Sequence, residues 1–507
     1  MNRILSLLCL LTLALCHPFT AQAVDFKVKG QWQFAFSAGD NNLVDTVGDR
    51  KADSEDTFHA RQRLRLQMDA VASPALSGTV FFEIGQLMWG NDSSGAALGA
   101  DQTVVKVRQA YTDWAVPGMP LRVRMGIQNI NLPKKAGGGM VMDNMDAAAV
   151  TASWCFNDAV SLTGLWVRPF NDNATAANGD GTSSYLDNMD LFALILPVRQ
   201  DGWDMSPWVM FGLRGKNTFP STADGRAVKI WKDGMPHYTL SSDPFGGAHL
   251  VGDTDKAWGS MFWAGLPVGI SAFAPWNFEL DINYGYVEAM GRYDIPVRGG
   301  QRMDRASTRR EGWLAMALAE YRLDWGTPGI FGWYASGDDG SLKNGSERMP
   351  SIDPWSKFTS FMGAANPYPT GYNDLGSNYA GTWGIGVRLK DISFLPDLKH
   401  ILRVAYWNGT NSTGMVKYAQ ARDAWNYGFD SNPNKAGMYL TTADHLLEFN
   451  LDSYWKVYEN LTAGLELGYI VNGFDKDAWE KDGRDWLGPS MSRQDAWHAT
   501  LYFGYSF

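Results

Sequence analysis

The chain has 507 residues, a formal net charge of −10, 45% hydrophobic and 13% aromatic content, with Gly 54, Trp 22, Tyr 20 and Phe 25. An acidic balance argues against nucleic acid as a partner. After the leader no run of about 20 apolar residues occurs, so a membrane crossing has to be made by strands and not by a helix.

Residues 1–23 read as a secretory signal. Arg3 supplies the positive start, 4–15 the apolar stretch, and Ala21-Gln22-Ala23 the cleavage site. Cys9 and Cys16 each follow a leucine, where a lipid-attachment site wants a small residue, so the mature chain is expected to begin at Val24 without a lipid. Only Cys155 then remains and no intrachain disulfide can form. An exported protein of this size needs another source of stability, and a closed hydrogen-bonded barrel is one.

The first predicted strand, 26–36, sets Phe26, Val28, Trp32, Phe34 and Phe36 against Lys27, Lys29, Gln31 and Gln33. The second, 58–70, sets Leu64, Leu66 and Met68 against Arg61, Arg63, Arg65 and Gln67. After the turn 73–77, a third places Val80, Phe82 and Ile84 opposite Thr79 and Glu83. Further strands are expected at 104–115, 121–129, 147–155, 159–168, 187–197, 205–215, 256–267, 277–288, 310–323, 329–337, 381–389, 399–408, 444–455, 461–471 and 495–507. The segment 310–323 is apolar on both faces, and its period alone leaves a buried helix open.

The final strand alternates Trp497, Ala499, Leu501, Phe503, Tyr505 and Phe507 with His498, Thr500, Tyr502, Gly504 and Ser506. On a soluble protein such a greasy terminal edge invites aggregation. In an outer-membrane barrel that face meets lipid.

Connections alternate in length. Short ones at 71–77, 116–120, 156–158, 198–204, 268–276, 324–328, 390–398 and 456–460 carry turn chemistry such as Pro117-Gly118 and Asn157-Asp158. Long ones fall at 37–57, 88–103, 130–146, 169–186, 216–255, 289–309, 338–380, 409–443 and 472–494. Short turns at one end and long loops at the other are the pattern of bacterial barrels. The expected fold is all-β: a transmembrane antiparallel β-barrel of 18 strands, with 16 as the alternative, forming one domain over 24–507. A barrel of roughly this size leaves a water-filled channel.

Several segments then look familiar. Val28-Lys29-Gly30-Gln31-Trp32, the run 61–70, Leu76-Ser77-Gly78-Thr79-Val80, the run 320–329 and Trp333-Tyr334-Ala335-Ser336-Gly337-Asp338-Asp339 follow one another in order. Together they resemble the outer-membrane homotrimeric porins of sulfate-reducing bacteria, along the whole mature chain. The resemblance implies a trimer of barrels passing small hydrophilic solutes by diffusion. The last strand ending in Phe507 likewise resembles the signal read by the barrel-assembly machinery.

The polar faces carry the functional argument. Arg61, Arg63 and Arg65 share one face; Lys106 and Arg108 repeat the spacing, as do Arg122 and Arg124. An Arg or Lys pointed into lipid at mid-membrane costs roughly 2–4 kcal/mol, so these side chains are expected to face the lumen as a basic wall. The loop 130–146 carries Lys134, Lys135, three consecutive glycines, Asp143 and Asp146, and is expected to fold inward as a constriction. Its carboxylates would then face the basic wall and set up a transverse field. Glu83, Glu279, Asp281, Glu448, Asp452 and Glu466 are expected to line the channel as an acidic counterpart.

The histidines lack metal-ligand spacing, the Asp-rich loops (Asp338-Asp339, Asp253 and Asp255) lack a calcium-loop signature, and no cofactor motif is present. Three readings remain: a general diffusion porin, a channel selective for an oxyanion, and an outer-membrane enzyme. The last lacks any candidate nucleophile–base pair, so a non-enzymatic channel whose partners are lipid and small solutes is expected.

Overall fold

The computed structural model describes residues 24–40, 43–46, 56–91, 97, 105–171, 188–216, 249–250, 256–297, 302–362, 378–420, 439–479 and 491–507. The leader assignment and the Asp253/Asp255 pair lie outside the described residues.

Eighteen antiparallel strands close a single barrel. They are β1 (Asp25–Asp40), β2 (Thr57–Ser73), β3 (Leu76–Met88), β4 (Val105–Ala115), β5 (Leu121–Ile130) and β6 (Met145–Cys155). Then come β7 (Ser161–Asn171), β8 (Asn188–Ile195, continued by Val198–Gln200), β9 (Trp203–Met205, continued by Trp208–Gly215), β10 (Trp258–Ile270), β11 (Trp276–Val287) and β12 (Arg310–Tyr321). The last six are β13 (Thr327–Ala335), β14 (Thr382–Leu395), β15 (Leu398–Gly409), β16 (His445–Tyr458), β17 (Leu461–Gly473) and β18 (Ala496–Ser506). Each pairs with its sequence neighbours, and β1 pairs with both β2 and β18, which closes the sheet. β8 and β9 are each interrupted at one proline, Pro197 and Pro207, which lack the N–H the ladder needs.

The outer face is greasy because strand periodicity puts it there. On β18 the residues Leu501 and Tyr505 are exposed outward while His498, Thr500 and Tyr502 are buried inward. Exposed Trp313, Tyr334 and Tyr469 gather toward the long-loop end, and Trp114, Trp276, Trp325 and Trp455 toward the short-turn end. Two aromatic rings around an apolar band suit a surface in hydrocarbon. No described helix is long and apolar enough to cross a membrane.

The segment 310–323 is strand β12, not a helix. Its outer Trp313, Ala315, Ala317 and Ala319 continue the lipid-side band, while its inner Leu314, Met316 and Leu318 are buried. The inner face is apolar because other chain segments cover it. The same holds across β7–β15, where Leu165, Val167, Met189, Leu191, Trp208, Met210, Met261, Trp263, Phe331, Trp333 and Trp407 point inward into one buried apolar cluster. The expected water-filled channel is therefore narrowed, because part of the inner wall is covered by chain. Apolar residues pointed at open water would gain nothing from that position, so burial under the inner loops explains their presence.

Candidate pore lining and inner loops

Among the described residues, two connections, 131–144 and 336–362, pack on the inner wall strands. The 131–144 loop is buried over most of its length, with Leu132, Ala136, Met140, Val141 and Met142 in the apolar cluster. Its tip crosses to β11. There the Lys135 N–H donates to Asp281 Oδ2 at 2.9 Å and the Ala136 N–H to Glu279 Oε2 at 2.8 Å. Lys135 Nζ reaches Asp204 on β9 at 2.8 Å, and Trp208 Nε1 donates to the Pro133 carbonyl at 3.2 Å. Gly137 has φ +49° and its absent Cβ would lie 2.6 Å from the Phe358 ring, so this turn has room for glycine only.

The described segment 336–362 supplies that phenyl ring. Its Trp355–Ser356 pairs antiparallel with Gly138–Gly139, so the two loops form a short ribbon inside the barrel. Phe358 stacks on Phe331 at 4.6 Å and lies 5.8 Å from Tyr379, which itself stacks on Trp333 at 4.7 Å. Farther on, the loop is held by β16. Glu448 accepts from the Phe361 and Met362 N–H groups at 3.1 and 3.0 Å and from Trp407 Nε1 at 3.0 Å. Asn450 accepts the Ser360 N–H, and Asp452 the Ser360 hydroxyl.

These contacts correct the expected acidic wall. Glu448, Asp452 and Glu466 are fully buried and Asp281 nearly so. Asp452 pairs with Arg403, and Glu466 lies 3.3 Å from His498. A carboxylate removed from water must be matched by donors, and here loop backbone and neighbouring side chains match it. Asp281, Glu448 and Asp452 hold the inner loops, and Glu466 is buried against His498 on the wall. Glu83 is buried too, between Arg65 at 3.0 Å and Arg108 at 3.1 Å.

The cations fare differently. Arg122 and Lys106 are exposed, and Arg61, Arg65, Arg108 and Arg124 partly so. Arg124 makes a two-pronged pair with Asp113, both bonds 2.8 Å, with its guanidinium 4.2 Å from the Tyr111 ring centre. Arg63 is buried and donates to Gln33. Arg108 is the extra residue of a bulge, since Phe81 faces Gln109 while Phe82 faces Val107. The β4–β5 ladder stops at Ala110–Ile127, and above it Asp146 on β6 pairs with Arg108 at 2.5 Å and accepts from Gln109 at 3.0 Å. Asp146 thus meets the basic strands, whereas Asp143 does not. Asp143 is buried between Lys134 and Lys357 Nζ, the latter at 3.6 Å. Burial lowers the Lys134 ammonium from its ordinary pKa, Asp143 pulls it back up, and the neighbouring Lys357 lowers it further.

The chain matches no family model and no curated protein sequence. Its fold does match solved structures. Pseudomonas aeruginosa OprD aligns over 96% of this chain and 97% of its own, with 12% identity and a TM-score of 0.50. OccK8 (OprE) of the same organism covers 95% and 98% at 9% identity and TM-score 0.50. OccK2 (OpdF), solved with glucuronate, covers 95% and 98% at 10% identity and TM-score 0.50. These are outer-membrane porins built on 18 strands. The fold is theirs.

Within that fold the sequence reading missed Lys357, Asp204 and the inward packing of residues 351–362. Two signals point to it. The inner faces of β12 and β13 are apolar where a wet lumen would want polar residues. Inner-face glycines stand where loop-packed rings need space: a Cβ on Gly384 would lie 2.2 Å from the Trp333 ring, and one on Gly468 2.9 Å from Phe361 Cβ.

Proposed function

We propose that the chain is an outer-membrane porin that passes small hydrophilic solutes and ions by diffusion, with a bias toward anions. The observation that carries this reading is the unequal exposure of charge inside a closed 18-strand barrel. Asp281, Glu448 and Asp452 are buried against the inner loops and Glu83 against Arg65 and Arg108, while Lys106, Arg122, Arg124 and Arg65 keep contact with water. An unbalanced set of like charges along a water-filled path raises the local concentration of the opposite ion. The inner loops fill the β7–β16 side and act as the constriction, which leaves the solute path along β1–β6.

In this reading residues 1–23 direct export and are removed, Phe507 takes part in recognition by the barrel-assembly machinery, and three copies associate in the membrane. Chemical cross-linking in native outer membranes tests the trimer: a ladder ending above two copies supports it, and monomer alone refutes it. The test of function is single-channel recording in a planar bilayer. Steady ohmic conductance with a reversal potential favouring anions under a salt gradient is expected; a barrel that conducts nothing overturns the reading. The runner-up is a channel selective for an oxyanion; the OccK2 neighbour was solved with one such solute, glucuronate.

A further inference from the structure

Most cations inside the barrel sit on its wall. Lys134 and Lys357 do not: they stand on the two inner loops, brought side by side by the ribbon of Gly138–Gly139 with Trp355–Ser356 and by the Lys357 N–H donating to the Gly137 carbonyl at 2.7 Å. One carboxylate serves both. The Asp143 side chain is only 2% exposed, beneath a Lys134 side chain 29% exposed and a Lys357 side chain 43% exposed. It bonds Lys134 directly, while Lys357 Nζ stays 3.6 Å away, beyond hydrogen-bond length. The buried acid itself is fixed from behind by its own N–H donating to the Asp353 carbonyl at 2.8 Å. Two ammonium groups therefore share one negative charge, and the protons not spent on Asp143 are open to water on the exposed side. A net positive charge with several free donors on adjacent centres is what a compact oxyanion group requires.

We propose that Lys134 and Lys357, with Asp143 as the built-in competitor, form a binding subsite for a carboxylate or phosphate group of a passing solute. The inference rests on the diffusion-channel reading and adds a saturable step to it. The solute's oxyanion bridges the two ammonium groups from the water side. Asp143 opposes it from the buried side and keeps the binding weak enough for release. Conduction past such a site depends on binding that is favourable but shallow.

The experiment is single-channel recording of the full-length protein in chloride, titrated with succinate, with inorganic phosphate, and with glucose as an uncharged control. Succinate or phosphate should reduce chloride current along a saturating curve, and glucose should not. Response to only one of the two anions identifies which oxyanion the site takes. Lys357→Met keeps the stem and removes the charge, and should weaken the block about tenfold if one ammonium contributes about 1.4 kcal/mol. Asp143→Asn should strengthen it, because the internal competitor is gone. Chloride conductance in Lys357→Met reports that the pore is still formed. A conducting Lys357→Met or Lys134→Met channel with the parent's block curve overturns the subsite while leaving the porin reading standing. A parent protein without conductance overturns the porin reading itself.

Discussion

On β1–β6 inner-face side chains meet water or one another: Arg124 grips Asp113, Arg65 and Arg108 grip Glu83, and Arg122 remains exposed. On β10–β16 the same kind of position meets loop backbone, with Glu279, Asp281 and Glu448 accepting N–H groups of residues 135, 136, 361 and 362. One strand pattern thus serves two purposes, and sequence alternation alone does not tell them apart. A carboxylate at an inner position reads the same whether it faces a channel or a loop. What differs is desolvation, which makes the second group structural and leaves the first to act on ions.

The comparison is broken most severely by Phe358→Ala. Truncating an aromatic in a packed core costs about 3–5 kcal/mol. Since that ring joins both inner loops to Phe331 and Trp333, conductance should rise sharply while the barrel's strand signal in circular dichroism persists. An unchanged conductance would remove the inner loops from the constriction. Next comes Glu448→Ala, which leaves the N–H groups of Phe361 and Met362 and the indole of Trp407 without their acceptor. Each buried donor so stranded costs about 1–3 kcal/mol. Glu448→Gln keeps one acceptor oxygen and should fall between parent and Ala in resistance of the 336–362 segment to protease. Equal sensitivity of the two variants would show that the carboxylate does not hold the loop.

On the opposite side, Lys106→Glu with Arg122→Glu should change stability by no more than about 0.5 kcal/mol, since both side chains are exposed. The reversal potential should nevertheless shift toward cations. A folded double variant with the parent's reversal potential would falsify the basic wall.

The smallest effect concerns Glu347, in the connection that follows β13. Burial first, then the nearby Asp338 carboxylate, push its carboxyl up to about 7 from an ordinary 4.5, against the Asp339 N–H, which pulls it back down. Between those values the folded chain keeps a proton that the unfolded chain has released, so this group's contribution to stability falls as pH rises from 4.5 through 7. The denaturant concentration that releases the segment around Glu347 should therefore be higher at pH 5 than at pH 8. Glu347→Gln should abolish the difference, and a variant that retains it would assign the dependence to another group.

Much of the fold was legible because a strand's period is two and lipid tolerates no polar face. Trp497 to Phe507 announces the outer surface of β18 directly, and the length alternation of the connections yields the strand order without any contact information. The segment 310–323 was ambiguous for a physical reason: Leu314, Met316 and Leu318 are buried by residues far away in sequence, and no local pattern records that. The site was half legible. Arginines at two-residue spacing can face only one way, whereas the partner of Asp143 is set by where a second loop lands, and Lys357 lies in that loop. The inner-face glycines Gly384 and Gly468 were the readable trace of it, since a wet wall has no need of empty positions.

A buried apolar cluster inside a lipid-facing barrel also has a thermal consequence. When the strands leave the bilayer for a detergent micelle, their outer residues exchange one hydrocarbon environment for another, and heat capacity changes little. When the inner loops let go, Phe358, Met316, Trp333 and their neighbours enter water, and that exposure raises heat capacity in proportion to apolar area. Scanning calorimetry in detergent should therefore separate two endotherms. The one with the larger heat-capacity step belongs to the contents of the barrel, and the other to its wall.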